Sequence, residues 1–263
     1  SITTVIHCGA NVKHYGKYEE FYNSNVLGTI NMIKFCKKSG AKLAHISTLS
    51  VGGYSQLDSS NILDENSINV GQDFKNHVYM ITKYQAECEV LKAIANKEIQ
   101  AKIFRLGNIM PRFSDGLFQK NVLSNAFISR LNTFFTIKCV PEGIDNLKID
   151  ISPVDLCAKS IILLLKDTNN QTIYHIFNNN VVSVNELLKI LDIQMNIVPA
   201  QTCIEKIQNL NNPLHAHLLN DLLNKDFTET YATNTRTIGI LDKLDFSWNI
   251  LDKNYLNYIL KYI

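Results

Sequence analysis

Asn76-His77-Val78-Tyr79-Met80-Ile81-Thr82-Lys83-Tyr84-Gln85-Ala86-Glu87 is the stretch from which the rest of the chain can be read. Tyr79 and Lys83 are four residues apart, and the run from Met80 to Ala95 has helical character. The phenol and the ammonium therefore emerge on one helical face. A cation beside a phenol favours phenolate, which makes the tyrosine a proton donor usable near neutral pH. Alone the pair says little, because the same spacing is common on solvated helices. Upstream, Lys42-Leu43-Ala44-His45-Ile46-Ser47-Thr48-Leu49-Ser50-Val51-Gly52-Gly53 is an apolar-rich run ending in hydroxyls and then glycines. A buried parallel strand delivers side chains to a ligand crevice at its carboxyl end in this way.

Working outward, Thr3-Thr4-Val5-Ile6-His7-Cys8-Gly9-Ala10 is a short β-rich run that stops where something must approach closely. Asn25 to Ser39 is periodic, with Val26, Ile30, Ile33 and Phe35 as its expected buried face and Gly40 as its stop. A polar loop from Tyr54 to Asn76 precedes the Tyr79 helix, and Ala101 to Asn108 is a further strand ending in Gly-Asn. Strands alternating with helices predict an α/β fold built on a doubly wound parallel sheet. After Pro111 the rhythm changes. Arg112 to Gly116 is a turn, followed by a helix through Leu131. Asp150 to Asp155 is extended and leads into a helix over Val154–Leu165, and Thr172 to Asn178 is a late strand. From Ser183 the chain is mostly helical and ends in a Tyr-rich helix. The expected division is residues 1–110 and about 149–178 in the sheet domain, with about 111–148 and 179–263 in a smaller, mostly helical substrate domain.

Across 263 residues, 46% are hydrophobic, enough for a sizeable core, and a net charge of +2 marks no nucleic-acid partner. The Lys34, Lys37 and Lys38 cluster reads as a solvated helix end. Six widely spaced cysteines without a C-x-x-C read as reduced thiols, not as a metal or disulfide framework. No signal peptide or long apolar span is apparent, so a cytoplasmic protein without a membrane partner is expected. His7, at the end of an apolar strand, reads as a satisfied core histidine.

A strand-end hydroxyl followed by Tyr-x-x-x-Lys resembles the Ser/Thr–Tyr–Lys constellation of the extended short-chain dehydrogenase/reductases. More specifically, the chain resembles the terminal thioester reductase domain of nonribosomal peptide synthetases. Related domains occur in carboxylic acid reductases and, more distantly, in fatty acyl reductases. The matching stretches are Val5 to Ala10 with Val12-Lys13-His14-Tyr15-Gly16, Asn25-Val26-x-Gly28-Thr29, and His45 to Val51. They continue through Tyr79-x-x-x-Lys83-x-x-x-Glu87, Arg105-Leu106-Gly107-Asn108 with Ser114-Asp115-Gly116, Ser152-Pro153-Val154-Asp155, and Tyr174-His175. The resemblance implies a Rossmann-type sheet and three catalytic residues. Thr48 would orient the substrate carbonyl, Tyr79 would donate the proton, and Lys83 would lower the tyrosine pKa and hold the nicotinamide ribose. Gly9, Ala10, Asn25, Ser47, Gly107 and Asn108 would join Tyr79 and Lys83 around the cofactor. Leu49, Ser50, Ser114, Asp115, Gly116 and Phe118 would face the substrate. For Asn25, helix N-capping is an equal alternative.

The implied cofactor is NADPH, with NADH also open, and the implied partner is a phosphopantetheinylated carrier protein bearing an acyl or peptidyl thioester. The product would be an aldehyde, or an alcohol after a second reduction. One departure from the family is large. It opens with a strand, a glycine-rich G-x-x-G-x-x-G turn and a helix that cradles the pyrophosphate, and none of the eleven glycines here forms that pattern. The first strand here corresponds to the family's fourth, so roughly one hundred residues or more are expected before Ser1. Two alternatives share the same residues: a sugar-nucleotide epimerase or dehydratase of the same class, and a non-catalytic dinucleotide-binding or interaction protein.

Overall fold

A computed structural model of the chain describes residues 2–13, 16–54, 62–122, 125–168, 170–224 and 231–263. The first elements are β1 (Thr4–His7), α1 (Tyr18–Phe21), a π-helical turn (Tyr22–Leu27), α2 (Gly28–Ser39), β2 (Lys42–Thr48), a 3-10 turn (Leu49–Gly52), α3 (Val78–Ala95) and β3 (Ala101–Leu106). Then follow β4 (Ile109–Met110), α4 (Ala126–Ile137), β5 (Cys139–Pro141), β6 (Lys148–Ile149), β7 (Ser152–Pro153), α5 (Val154–Lys166) and β8 (Ile173–Ile176). The chain closes with β9 (Val182–Ser183), α6 (Val184–Ile190), β10 (Asn196–Val198), α7 (Ala200–Leu210), α8 (Ala216–Asn224), α9 (Thr235–Asp242) and α10 (Lys253–Leu260). Among the described residues no helix is long and apolar enough to cross a membrane.

The chain packs as two units. The first comprises Ser1–Gly107, Lys159–Ile176 and Glu229–Ser247, the second Asn108–Ala158, Phe177–Thr228 and Trp248–Ile263. Apart from shifts of two or three residues at Gly107 and Ile176, this differs from the sequence-based division in two places, for specific reasons. Residues 149–158 belong to the second unit because β7 pairs with β4 and Asp150 bonds Asn108. Residues 231–247 return to the first because Thr233 and Thr237 bond His175, and Thr237 N donates to Glu65.

In the first unit a four-stranded sheet runs in the order β1-β2-β3-β8, all parallel. β2 and β3 are central and β8 is wholly buried, as parallel strands covered on their faces require. β1 lies at one edge, where Ile6 is 44% exposed. Side-chain alternation sorts the sheet into two faces. Leu43, Ile103 and Ile173 pack with Ile33 and Cys36 of α2 and Val90 and Ala93 of α3. The opposite face carries Phe104 stacked on Tyr174, with Lys102 donating to Leu164 O at the end of α5 (2.7 Å). Helices on both faces make the sheet doubly wound, as expected.

α2 departs from expectation in one detail. Its buried positions are Thr29, Ile33 and Cys36, preceded by Val26, while Phe35 is 41% exposed. Phe35 stands two residues from Ile33, about 200° around the helix, so it lies on the opposite face and cannot share the buried stripe. Gly40 ends the helix in a left-handed conformation (φ 73°), as its position suggested.

In the second unit α4, α7, α8 and α10 enclose an apolar core that includes Phe127, Leu131, Phe134, Ile204, Leu218 and Leu256. α4 starts at Ala126 and runs past Leu131 to Ile137, with Asn125 capping its start by accepting from Ile128 N (3.0 Å). β5 pairs with β10, and Cys139 and Cys203 lie buried with their sulfurs 3.5 Å apart, both as free thiols.

Candidate active site

α3 begins at Val78, so Tyr79 stands in its first turn, Lys83 one turn on and Glu87 a turn further, along one face. Tyr79 is half-buried. Lys83 is buried, and its Nζ donates to Ile46 O of β2 (2.7 Å). Burial pulls the ammonium's pKa down to about 8, against the upward pull of the Glu87 carboxylate. Glu87 receives Arg105 of β3 through Nε (3.1 Å to both oxygens) and Nη2 (2.8 Å), with both side chains out of solvent. Arg105 Nη1 also donates to Ser67 O (2.9 Å) and meets His175 Nε2 at 3.3 Å. His175 Nδ1 faces Thr233 O at 2.6 Å, so that nitrogen carries the hydrogen and Nε2 accepts from Arg105. Burial and the guanidinium hold the imidazole neutral, with its pKa down at about 3. Two charged side chains on one helix face thus clamp α3 to adjacent strands.

β2 brings His45 and Ser47 to the same face as Lys83, and Thr48 to the other side at the strand's last residue. Ser47 is 5% exposed, and its buried Oγ has no hydrogen-bond partner among the described residues. Both ring nitrogens of buried His45 are likewise unpartnered there. Thr48 is half-buried, and its Oγ1 accepts from Ser50 N (3.2 Å), a bond that does not use its own hydrogen. Leu49 and Ser50, also half-buried, form the 3-10 turn beyond it.

Asn25 does not cap a helix. It sits inside the π-helical turn, fully enclosed by protein. Its Oδ1 accepts from Asn11 N (2.7 Å), while Nδ2 donates to Asn11 O (3.1 Å) and to Thr82 Oγ1 (3.0 Å). It ties the loop after β1 to α3, at the kind of helical bulge that often marks a functional site. Gly9 is exposed and Ala10 half-buried at the end of β1. A Cβ at Gly9 would meet only the His7 ring at 3.5 Å, so protein packing does not require glycine there. His7 is half-buried and bonds Thr29 Oγ1 (3.2 Å), in keeping with a satisfied histidine. Of the Val12–Gly16 motif, His14 and Tyr15 lie outside the described residues, as do residues 55–61 of the polar loop.

Gly107 closes β3 by donating to Ile176 O (3.1 Å). In the second unit, Asn108 commits its backbone N–H and its amide to Asp150, each at 2.8 Å, so its side chain is held by protein. Ser114 and Asp115 are exposed and Gly116 buried in one turn, which Asp155 holds by accepting from Phe113 N (2.8 Å) and Ser114 N (3.1 Å). Phe118 lies near Tyr262 and lines a cavity of about 340 Å³ with Ile109, Arg112, Leu117, Gln119 and Val154.

The residues present fit the nicotinamide end of a dinucleotide: a buried lysine bonded near the end of β2, on the same face as an orphaned buried hydroxyl at Ser47. For the pyrophosphate the sequence contains no glycine-rich turn. Sequence reasoning assigns no role to Glu87, Arg105 and His175, although all three stand in motifs it singles out, and it passes over Asp150 and Arg112.

The model of an NAD-binding family described as male sterility protein matches residues 1–161. No curated protein matches the chain. Among solved structures, a thiolation–reductase di-domain from an archaeal non-ribosomal peptide synthetase is similar, with a TM-score of 0.87 and 30% identity over 99% of this chain and 57% of that one. This chain therefore spans a little over half the length of that di-domain. The reductase domain of the aureusimine biosynthetic cluster is similar with a TM-score of 0.88 and 25% identity, over 99% of this chain and 68% of that one. The dTDP-glucose 4,6-dehydratase of Bacillus anthracis, solved with NAD, shares the fold alone, with a TM-score of 0.61 and 16% identity over 99% of this chain and 72% of that one.

Proposed function

Because this chain belongs to the NAD-binding family described as male sterility protein, we propose that it reductively releases an acyl or peptidyl group held as a thioester on a carrier protein's phosphopantetheine arm. The observation that supports this most is the likeness, over nearly the whole chain, to the thiolation–reductase di-domain. The weaker likeness to the dTDP-glucose dehydratase favours it over the sugar-nucleotide reading. NADPH is the proposed cofactor, held at its nicotinamide end by Tyr79, Lys83 and Ser47, and when bound it supplies hydride to the thioester carbonyl.

The chain's own residues handle the charge that results. Thr48, whose Oγ1 accepts from Ser50 N and does not use its hydrogen in that bond, donates to the carbonyl oxygen as negative charge develops there. Ser47 and Thr48 point to opposite sides of the strand, so only one of the two hydroxyls serves the carbonyl. Tyr79 delivers the proton, and the Lys83 ammonium stabilises the phenolate left behind. The hemithioacetal so formed collapses to an aldehyde and the free thiol. The clamp formed by Glu87 and Arg105 holds α3 against the sheet, which keeps Lys83 at its carbonyl. The docking of a carrier protein belongs to the same proposal.

Tyr79→Phe tests this reading. The ring and its packing stay while the proton donor is lost, so dinucleotide binding should persist as thioester reduction falls by about 10²–10⁴. Thr48→Val should also be slow and Ser47→Ala mild. Near-normal turnover of the phenylalanine variant would remove Tyr79 from the role, and a reversed order for the two hydroxyls would remove Thr48.

A further inference from the structure

The guanidinium that pairs with Glu87 is held at its other end by a segment far along the chain. Arg105 is wholly buried, and its Nη1 donates both to Ser67 O (2.9 Å) and to His175 Nε2 (3.3 Å). Each of these acceptors is fastened to residues 231–237. His175 donates through Nδ1 to Thr233 O (2.6 Å), and its backbone N–H donates to Thr237 Oγ1 (3.0 Å). The stretch that carries Ser67 is tied to the same segment. Leu63 N donates to Tyr231 O (2.9 Å), Thr233 N donates to Leu63 O (3.0 Å), and buried Glu65 accepts from Thr237 N (2.9 Å).

The near end of the guanidinium faces α3. Nε and Nη2 hold Glu87, one helical turn beyond Lys83, while Lys83 Nζ holds Ile46 O of β2. Ser47 and Arg105 are partners in the β2–β3 register, so the two anchors of this helix face grip neighbouring positions of the sheet. A buried guanidinium that loses an acceptor is costly and shifts to regain one. That shift is passed to Glu87 and along the helix to Lys83. His175 accepts only as a neutral imidazole, and burial beside the Arg105 cation keeps it neutral.

We propose that His175 is a positioning residue for Lys83, acting through Arg105 and Glu87, with residues 231–237 as the brace that fixes its ring. Its two nitrogens do separate work: Nε2 receives the guanidinium, and Nδ1–H fastens the ring to Thr233. The effect on turnover rests on the thioester-reductase reading above, whereas the effect on α3 does not.

Two substitutions separate the nitrogens. His175→Gln places an amide oxygen where Nε2 accepts and gives up the bond to Thr233. His175→Asn keeps a donor for Thr233 O and leaves Arg105 without that acceptor. Hydrogen exchange of the intact protein, read by mass spectrometry, needs no turnover. In His175→Asn the amides of Lys83 to Glu87 should exchange about tenfold faster, the scale of one hydrogen bond to a charged group, and in His175→Gln they should stay near wild type. Residues 231–237 should show the opposite order. Thr237→Val loosens the same ring from outside the buried trio and should speed α3 exchange by about threefold, a fraction of one hydrogen bond. In thioester reduction, kcat should fall by about 10–100-fold in His175→Asn, the scale of a misplacement of roughly 1 Å, and His175→Gln should recover most of the loss. A histidine that merely seats the 231–237 segment predicts the reverse ranking, with the glutamine variant the worse of the two. That ranking, or α3 exchange unchanged in both His175→Asn and Thr237→Val, would overturn the assignment. A wild type that reduces no thioester while the exchange ranking holds would sink the functional reading and leave the positioning of Lys83 standing.

Discussion

Replacing Lys83 with methionine should make the protein more stable and the reaction slower. Lys83 is 4% exposed, and the pKa of its ammonium drops from an ordinary 10.5 to about 8 because burial disfavours the charge. At roughly 1.4 kcal/mol per pH unit, keeping that proton in the fold costs about 3 kcal/mol at pH 7. Its bond to Ile46 O returns on the order of 1 kcal/mol. Methionine fills similar volume without a charge, so Lys83→Met should gain roughly 2 kcal/mol at neutral pH. The sign has a pH signature. Below pH 8 both folded and unfolded chains carry the proton, and the wild type bears the full cost. Between about 8 and 10.5 the unfolded chain binds more protons, so wild-type stability rises with pH relative to the variant. Urea unfolding of both proteins, followed by circular dichroism at pH 7 and pH 9.5, reads this directly. The gap should close by roughly 2 kcal/mol at the higher pH. A variant less stable than wild type at pH 7, or a gap that does not change with pH, refutes the argument.

The same group sets the pH dependence of turnover: kcat/KM for thioester reduction should decline above about pH 8 as Lys83 loses its charge, and a flat profile to pH 9.5 would count against its role. Glu87→Leu leaves the Arg105 guanidinium buried without its carboxylate and should cost about 3–5 kcal/mol in urea unfolding. Adding Arg105→Met should recover more than half of that, and a double variant no better than the single would deny the pair's coupling. Gly116 has φ 73°, and a Cβ there would lie 2.4 Å from Tyr258 Cγ. Gly116→Ala should therefore destabilise by about 1–3 kcal/mol, measurable as a lowered Tm, and an unchanged Tm would show that the ring yields freely.

Much of the site's chemistry is legible in the amino-acid sequence, because it is written in short spacings. A four-residue interval on a helix fixes which side chains share a face, which is why Tyr79, Lys83 and Glu87 line up on α3. The apolar run into Ser47 and Thr48, and the alternation of strands with helices, likewise announce a parallel sheet with side chains at its carboxyl ends. What tertiary structure alone decides is which distant groups meet. From its own neighbourhood Asn25 reads equally as a site residue or a helix cap, and its partners, Asn11 and Thr82, are brought to it only by the packing of the first loop on α3. Arg105, Glu87, Ser67 and His175 come from four separate segments, and no periodicity relates them. Local spacing encodes the direction of a side chain. Its partner depends on loop closure across the whole chain, and that is settled only when the core packs.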